Sequence, residues 1–104
     1  ELAAMLDARG RSERDFDLID VREPGEHEIV RIPGSQLISQ GHFVSGEALS
    51  NLSRDRDIIL YCKAGARSAE VLASLRRSGY SRVQHVPGGV LDWVREIDPS
   101  LPLY

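Results

Sequence analysis

The sequence has 104 residues, 41% hydrophobic and 28% charged, with a formal net charge of −3. That length suits one domain around one core, and the composition is that of a globular chain rather than a disordered one. Mild acidity gives no electrostatic reason to expect a nucleic-acid partner, no apolar run approaches the ~20 residues that cross a bilayer, and a single cysteine cannot close an internal disulfide, which points to a reducing, cytoplasmic compartment.

Strand-like and helix-like segments alternate along the chain. Leu2, Met5 and Leu6 have helical spacing, and Gly10 ends that helix. The chain opens directly on this pattern, without an initiator methionine or leader, so residues 1–104 are expected to be one domain excised from a longer protein. Phe16–Val21 reads as a strand, Pro24-Gly25 as a turn, Glu26–Val30 as a short helix and Pro33-Gly34 as a second turn. A short strand follows around Leu37-Ile38. Ser39–Ser45 reads as loop, and Gly46–Leu52 as a helix with Ser45 at its N-cap.

Ile58-Ile59-Leu60-Tyr61 is an unbroken apolar run, which suits a central parallel strand covered on both faces. In the next helix Ala69, Val71, Leu72 and Leu75 form the apolar stripe. Arg76 and Arg77 complement the dipole in the last turn, and Gly79 provides the C-cap. Arg82–Val86 is the last strand. Pro87-Gly88-Gly89 turns into a final helix with Val90, Leu91, Trp93, Val94 and Ile97 as apolar positions, ended by Pro99. The alternation predicts an α/β fold, a mostly parallel central sheet flanked by helices on both faces. Ligands of such sheets sit at the carboxyl ends of the strands, and Cys62 lies at that end of the most apolar one.

The stretch Tyr61-Cys62-Lys63-Ala64-Gly65-Ala66-Arg67-Ser68 runs from strand through a short loop into a helix. The first amides of a helix lack internal partners and point at whatever precedes it. A tight loop can curl its own amides inward as a nest, and Gly65 allows the backbone conformation this needs. With Lys63 and Arg67 adding positive charge, the Cys62 thiolate is expected to be stabilised. The competing reading is a small buried hydrophobe at a strand end. His27, His42 and His85 are scattered and bear no motif relation to Cys62. A histidine base is therefore not indicated, and no metal site is expected. Asp20 and Arg22 are read first as an ion pair or turn cap and second as groups orienting the cysteine loop. Gly88 and Gly89 are expected to form a tight turn near that loop, and Trp93 to be a core residue.

These residues resemble the rhodanese family over nearly the whole chain. Asp20-Val21-Arg22-Glu23 resembles its strand-end acidic-arginine motif, and Ile32-Pro33-Gly34-Ser35 its "HIPGA" segment. Cys62–Ser68 resembles its active-site loop, and Gly88-Gly89 with Trp93 its closing glycine pair and tryptophan. The resemblance implies a sulfurtransferase in which Cys62 carries sulfane sulfur as a persulfide. The amides of Lys63, Ala64, Gly65, Ala66 and Arg67 would cradle the outer sulfur, and the Arg67 side chain would brace the loop or bind an anionic donor.

Where the family usually has Gly-His before Ile-Pro, this chain has Val30-Arg31. Glu28–Pro33 and the terminus Ile97–Tyr104 are similar instead to rhodanese domains fused behind a ubiquitin-activating-type adenylating domain. Those proteins serve molybdopterin synthesis and related sulfur-carrier pathways. The partners this implies are a sulfur donor (thiosulfate or a protein persulfide), a ubiquitin-like sulfur-carrier protein converted to a thiocarboxylate, and an adenylating domain in the same polypeptide. No cofactor is implied in this domain; ATP and zinc would belong to the adenylating one. Alternatives are a free-standing thiosulfate sulfurtransferase, a non-catalytic binding module, and a phosphatase sharing the rhodanese-like fold. Phosphatase loops place five residues between cysteine and arginine, and here there are four, Lys63 to Ala66.

Overall fold

Four parallel strands collect the most apolar runs of the chain. In the computed structural model, which describes Leu2, Ala4, Leu6, residues 16–46 and residues 52–102, β1 (Asp17–Asp20), β2 (Gln36–Leu37), β3 (Ile58–Tyr61) and β4 (Val83–His85) lie in the order β2-β1-β3-β4. Asp20 is in register with both Leu37 and Tyr61, and Leu60 with His85. β3 is central, and none of its four side chains is more than 3% exposed. Alternate side chains of a strand point to opposite faces, so each face of the sheet builds its own core.

The helices α1 (Pro24–Ile29), α2 (Gln40–Val44), α3 (Ala66–Arg77) and α4 (Gly89–Glu96) complete the described elements. On one face Ile19, Ile58, Leu60 and Cys62 pack with Phe43 of α2 and with Val71 and Leu75 of α3. On the other, Leu18, Ile59 and Tyr61 pack with Val30, Ile32, and Val90 and Val94 of α4. Each fully buried aliphatic side chain contributes roughly 1.5–3 kcal/mol, which makes the doubly covered β3 the most firmly held strand. The chain runs from β1 outward to β2, then returns past β1 to β3. The carboxyl ends of β1 and β3 therefore flank the point where strand order reverses, the place where open α/β sheets bind ligands.

Several expectations need correction. Ser39–Ser45 is not a loop: Gln40–Val44 is helical, with Ser39 at its N-cap and Ser45 at its C-cap. The helix is held by one inward residue, Phe43, too little for a periodic signal over five residues. Of the helix expected over 46–52, Gly46 is a turn residue, Leu52 is not helical, and residues 47–51 lie outside the described residues. At the N-terminus Leu2, Ala4 and Leu6 are helical, while Met5 and Gly10 lie outside the described residues. The buried stripe of α3 runs through Ser68, Val71 and Leu75, with Leu72 half-buried, whereas Ala69 is exposed. α4 stops at Glu96, leaving Ile97 as an exposed cap residue. Trp93 is half-buried against the second core.

Past the end of β1, Asp20 and Arg22 are completely buried. The Arg22 guanidinium donates to both Asp20 oxygens, from Nε at 3.0 and 3.1 Å and from Nη2 at 2.9 Å. It also donates to the Val30 carbonyl. His27 Nδ1 lies 2.9 Å from Asp20 Oδ2. The network ties β1 to the last turn and C-cap of α1, whose first residue is Pro24, pre-set for that position. Replacing Arg22 alone by Met strands the Asp20 carboxylate, and we expect a loss of about 3–5 kcal/mol in urea unfolding. The double variant Asp20→Leu/Arg22→Met should cost clearly less. An equal cost for both would show that packing, not the buried charge, sets the penalty.

Candidate active site

Cys62 follows the last residue of β3 and is 1% exposed. Its Sγ accepts from the Gly65 amide at 3.1 Å and the Ser68 amide at 3.4 Å, with the Ser68 hydroxyl oxygen 3.6 Å away. Gly65 is the N-cap of α3 with φ +111°, a conformation available to glycine. A Cβ at this position would sit 2.0 Å from the Pro87 carbonyl oxygen. The loop is thus closed from behind by the turn after β4.

That turn also sets the direction of the loop's peptides. The first turn of α4 donates from Val90 N to the Cys62 carbonyl at 2.9 Å, and from Leu91 N to the Lys63 carbonyl at 3.2 Å. In a planar trans peptide the carbonyl and the following amide point opposite ways. The amides of Lys63 and Ala64 therefore face away from α4, towards the inside of the loop. Gly89, with φ +61°, makes the approach feasible, since a Cβ there would lie 2.4 Å from the Lys63 carbonyl oxygen and 2.5 Å from that of Cys62. At Gly88 a Cβ would collide with the Asp92 side chain. The expected glycine turn beside the loop is present, and it sits against the backbone of Cys62 and Lys63.

Burial would push the Cys62 thiol up. Hydrogen bonds from the Ser68 hydroxyl and from the Ser68, Gly65 and Ala64 amides outweigh it and hold the thiol below its ordinary value. The leading causes are dipoles, ahead of the cations expected to do this. Arg67 is engaged elsewhere, with its two terminal nitrogens bonding Glu26 of α1 at 2.7 and 3.0 Å. Glu26 also accepts from the Glu23 amide, the reciprocal contact of a capping box. The Arg67 fork holds the Glu26 carboxyl at about 2 instead of 4.5, against the opposing effect of burial. Arg67 thus braces the loop against α1. Asp20 and Arg22, which anchor α1, reach the loop through Glu26 rather than by touching the sulfur. Lys63 and Ala64 form the exposed rim.

Two contributions join segments distant in the chain. Tyr61, the residue before the cysteine, receives the Ile32 amide on its hydroxyl at 3.1 Å and lies 2.9 Å from Ser35 Oγ. The Ile32-Pro33-Gly34-Ser35 turn therefore pins the end of β3. His85 Nδ1 lies 2.9 Å from Ser68 Oγ, joining a histidine to the cysteine through one hydroxyl. The signal for Ser68 was its place in the buried stripe with Val71 and Leu75. The signal for His85 was strand alternation with Val83.

The structure is thus an α/β parallel sheet whose switch-point loop holds a buried cysteine sulfur on main-chain amides. The family model of the rhodanese-like domain matches residues 1–96, and the chain belongs to the rhodanese family. It is 45% identical over 93 residues to the probable adenylyltransferase/sulfurtransferase MoeZ of Mycobacterium tuberculosis. That match covers 89% of this chain and 24% of the relative, so the chain spans about a quarter of that relative's length. A sulfurtransferase of Allochromatium vinosum is 34% identical, over 86% of this chain and 87% of its own. Among solved structures, the rhodanese-related protein from Thermoplasma volcanium superposes with a TM-score of 0.74 at 28% identity, covering 96% and 95% of the two chains.

Two outcomes follow from the geometry. Gly65→Ala should destabilise the chain by more than about 1 kcal/mol and slow alkylation of Cys62, because the loop must shift away from Pro87; unchanged reactivity would refute this packing. The Glu26–Arg67 pair should contribute about 1–2 kcal/mol after allowance for solvent screening. A carboxyl depressed on folding adds stability above its unfolded value. Glu26→Gln should therefore weaken the chain at pH 7, and its deficit should vanish as the pH falls from about 4.5 to about 2. Urea midpoints across that range provide the check.

Proposed function

We propose that this chain is a sulfurtransferase domain carrying sulfane sulfur as a persulfide on Cys62. The observation that carries the reading is the Cys62 sulfur seated on the Gly65 and Ser68 amides in a loop whose next two amides also face inward. A thiolate so held attacks the outer sulfur of a donor such as thiosulfate. The donor's S–S bond breaks, sulfite leaves with the electron pair, and the sulfur stays on Cys62. The persulfide anion that results spreads charge over the same cradle, and an acceptor then removes its terminal sulfur.

The acceptor we favour is the acyl-adenylated C-terminus of a ubiquitin-like sulfur-carrier protein: the outer persulfide sulfur attacks the acyl carbon, AMP leaves, and two equivalents of a thiol reductant, oxidised to a disulfide, cleave the acyl disulfide to a thiocarboxylate and restore Cys62. Residues 1–104 would be the C-terminal domain of a protein that also holds the adenylating domain, with ATP and zinc bound there and none needed here. Support comes from the likeness to MoeZ, whose name joins both activities, and from the sequence around Val30-Arg31. The setting would be cytoplasmic, in molybdopterin synthesis or a related thiolation pathway. A free-standing thiosulfate sulfurtransferase is the second reading, favoured by the similarly sized sulfurtransferase of Allochromatium vinosum. Among the described residues, no helix is long and apolar enough to cross a membrane.

The chain should form thiocyanate from thiosulfate and cyanide, and Cys62→Ala should abolish the reaction. Mass spectrometry after donor treatment should show about +32 Da on Cys62, roughly one sulfur atom. No adduct would end the catalytic reading and leave a binding module. Phosphate-ester turnover should be negligible; turnover lost in Cys62→Ser would favour the phosphatase. Sulfur transfer to an adenylated carrier in preference to small acceptors would separate the first reading from the second.

A further inference from the structure

We infer that His85 is the proton terminus of a Cys62–Ser68–His85 relay that ionises the nucleophile, an inference resting on the reading of Cys62 as the sulfur-accepting thiolate. The Ser68 side chain is fully buried, and its oxygen stands between the two end groups, 3.6 Å from Cys62 Sγ and 2.9 Å from His85 Nδ1. A hydroxyl both donates and accepts. In the resting thiol, Cys62 donates to Ser68 Oγ and Ser68 donates to Nδ1. On ionisation the Sγ–H bond breaks as a new O–H bond forms, and the original O–H proton passes to Nδ1. One proton moves from sulfur to imidazole, Ser68 ends as it began, and nothing is oxidised or reduced. The thiolate then accepts from Ser68 and from the Gly65 and Ser68 amides, and the imidazolium donates to Ser68. After sulfur delivery the steps reverse.

Three features make this a built arrangement. His85 is in register with Leu60, two residues before Cys62, so strand pairing places its side chain on the cysteine's face of the sheet. It is half-buried, with access to solvent for the proton's onward exchange. Ser68 has a second acceptor, the Gly65 carbonyl at 3.2 Å, so it can turn its proton away from the sulfur when His85 does not take it. The charged groups on the neighbouring elements are committed elsewhere or distant. On α3, Arg67 bonds Glu26, Glu70 accepts from Gln40, Arg76 reaches the Val83 carbonyl, and Arg77 is exposed. On the loop after β3 the titrating partner is Cys62 itself, with Lys63 on the exposed rim.

The test is the pH profile of Cys62 alkylation by iodoacetamide, which requires no sulfur chemistry, run beside thiosulfate:cyanide turnover. His85→Asn offers an amide nitrogen near the Nδ1 position and keeps a hydrogen bond to Ser68, yet it cannot take a proton. We expect its alkylation at pH 7 to be roughly 10–100-fold slower than wild type, with the gap closing above the thiol's own titration, and turnover to fall in parallel. His85→Leu should match His85→Asn, and in the Ser68→Ala background His85→Asn should change nothing further. A His85→Asn profile that overlays wild type overturns the relay, as does an undiminished effect of His85 once Ser68 is gone. If alkylation shows the His85 dependence while wild-type turnover is absent, the relay stands and the sulfurtransferase reading fails. If turnover is robust and alkylation is indifferent to His85, the reverse holds.

Discussion

Two amides of α4 hold the cysteine loop in shape by pulling its carbonyls outward. Val90 and Leu91 take the oxygens of Cys62 and Lys63, and planarity of the peptide then commits the following amides to the interior. The Gly65 and Ser68 amides, from the helix end of the loop, then complete the donors around Cys62 Sγ. The close approach explains the glycine at 89 in the turn after β4 and the glycine at 65 facing Pro87, since a methyl group at either would overlap backbone on the facing segment. Sulfur, loop and helix terminus form one packed unit, and the sequence motifs that looked separate are its contacting surfaces.

Support on the opposite side is ionic. Arg67 leaves the loop to grip Glu26 with both nitrogens, and Glu26 sits on α1, tethered to β1 by Arg22 and Asp20. The Arg67 charge is thereby neutralised by its partner. Stabilisation of the thiolate falls to hydrogen bonds and peptide dipoles, which act at contact and are screened little by salt in a buried setting. Dipoles that are already oriented also require no rearrangement when charge moves from Cys62 to an attached sulfur.

The sequence displayed features whose cause is local. Ile58–Tyr61 announced a central strand through composition alone, and the loop from Cys62 to Gly65 announced a helix start through one glycine. Asp20 and Arg22 were readable as an ion pair because they stand two residues apart at a strand end. What stayed hidden depends on pairing between distant segments. His85 meets Ser68 because β4 lies in register beside β3, and no spacing in the chain encodes that. α2 was missed because its sole buried side chain is Phe43, too few inward positions for periodicity to register. What Arg67 braces against was hidden for the same reason: bracing was one of its two expected roles, but Glu26, forty-one residues earlier, was not visibly its partner.

The size of the loop bears on the element it can carry. Enlarging it by one residue, as a tetrahedral phosphoryl group with three oxygens would require, means moving either Gly65 or the Cys62–Lys63 peptides outward. Gly65 is blocked by the Pro87 carbonyl, and those peptides are fastened to the first turn of α4. The cradle is therefore set by its surroundings as well as by the number of residues in it. The Gly65 and Ser68 amides lie on Sγ itself, and the Ala64 amide adds to the lowering of its thiol. Donors converging on one atom suit a single sulfur bearing one charge better than a phosphoryl group with three oxygens. The four residues between Cys62 and Arg67 are thus held from behind, by the Pro87 carbonyl at Gly65 and by the first turn of α4 at Cys62 and Lys63.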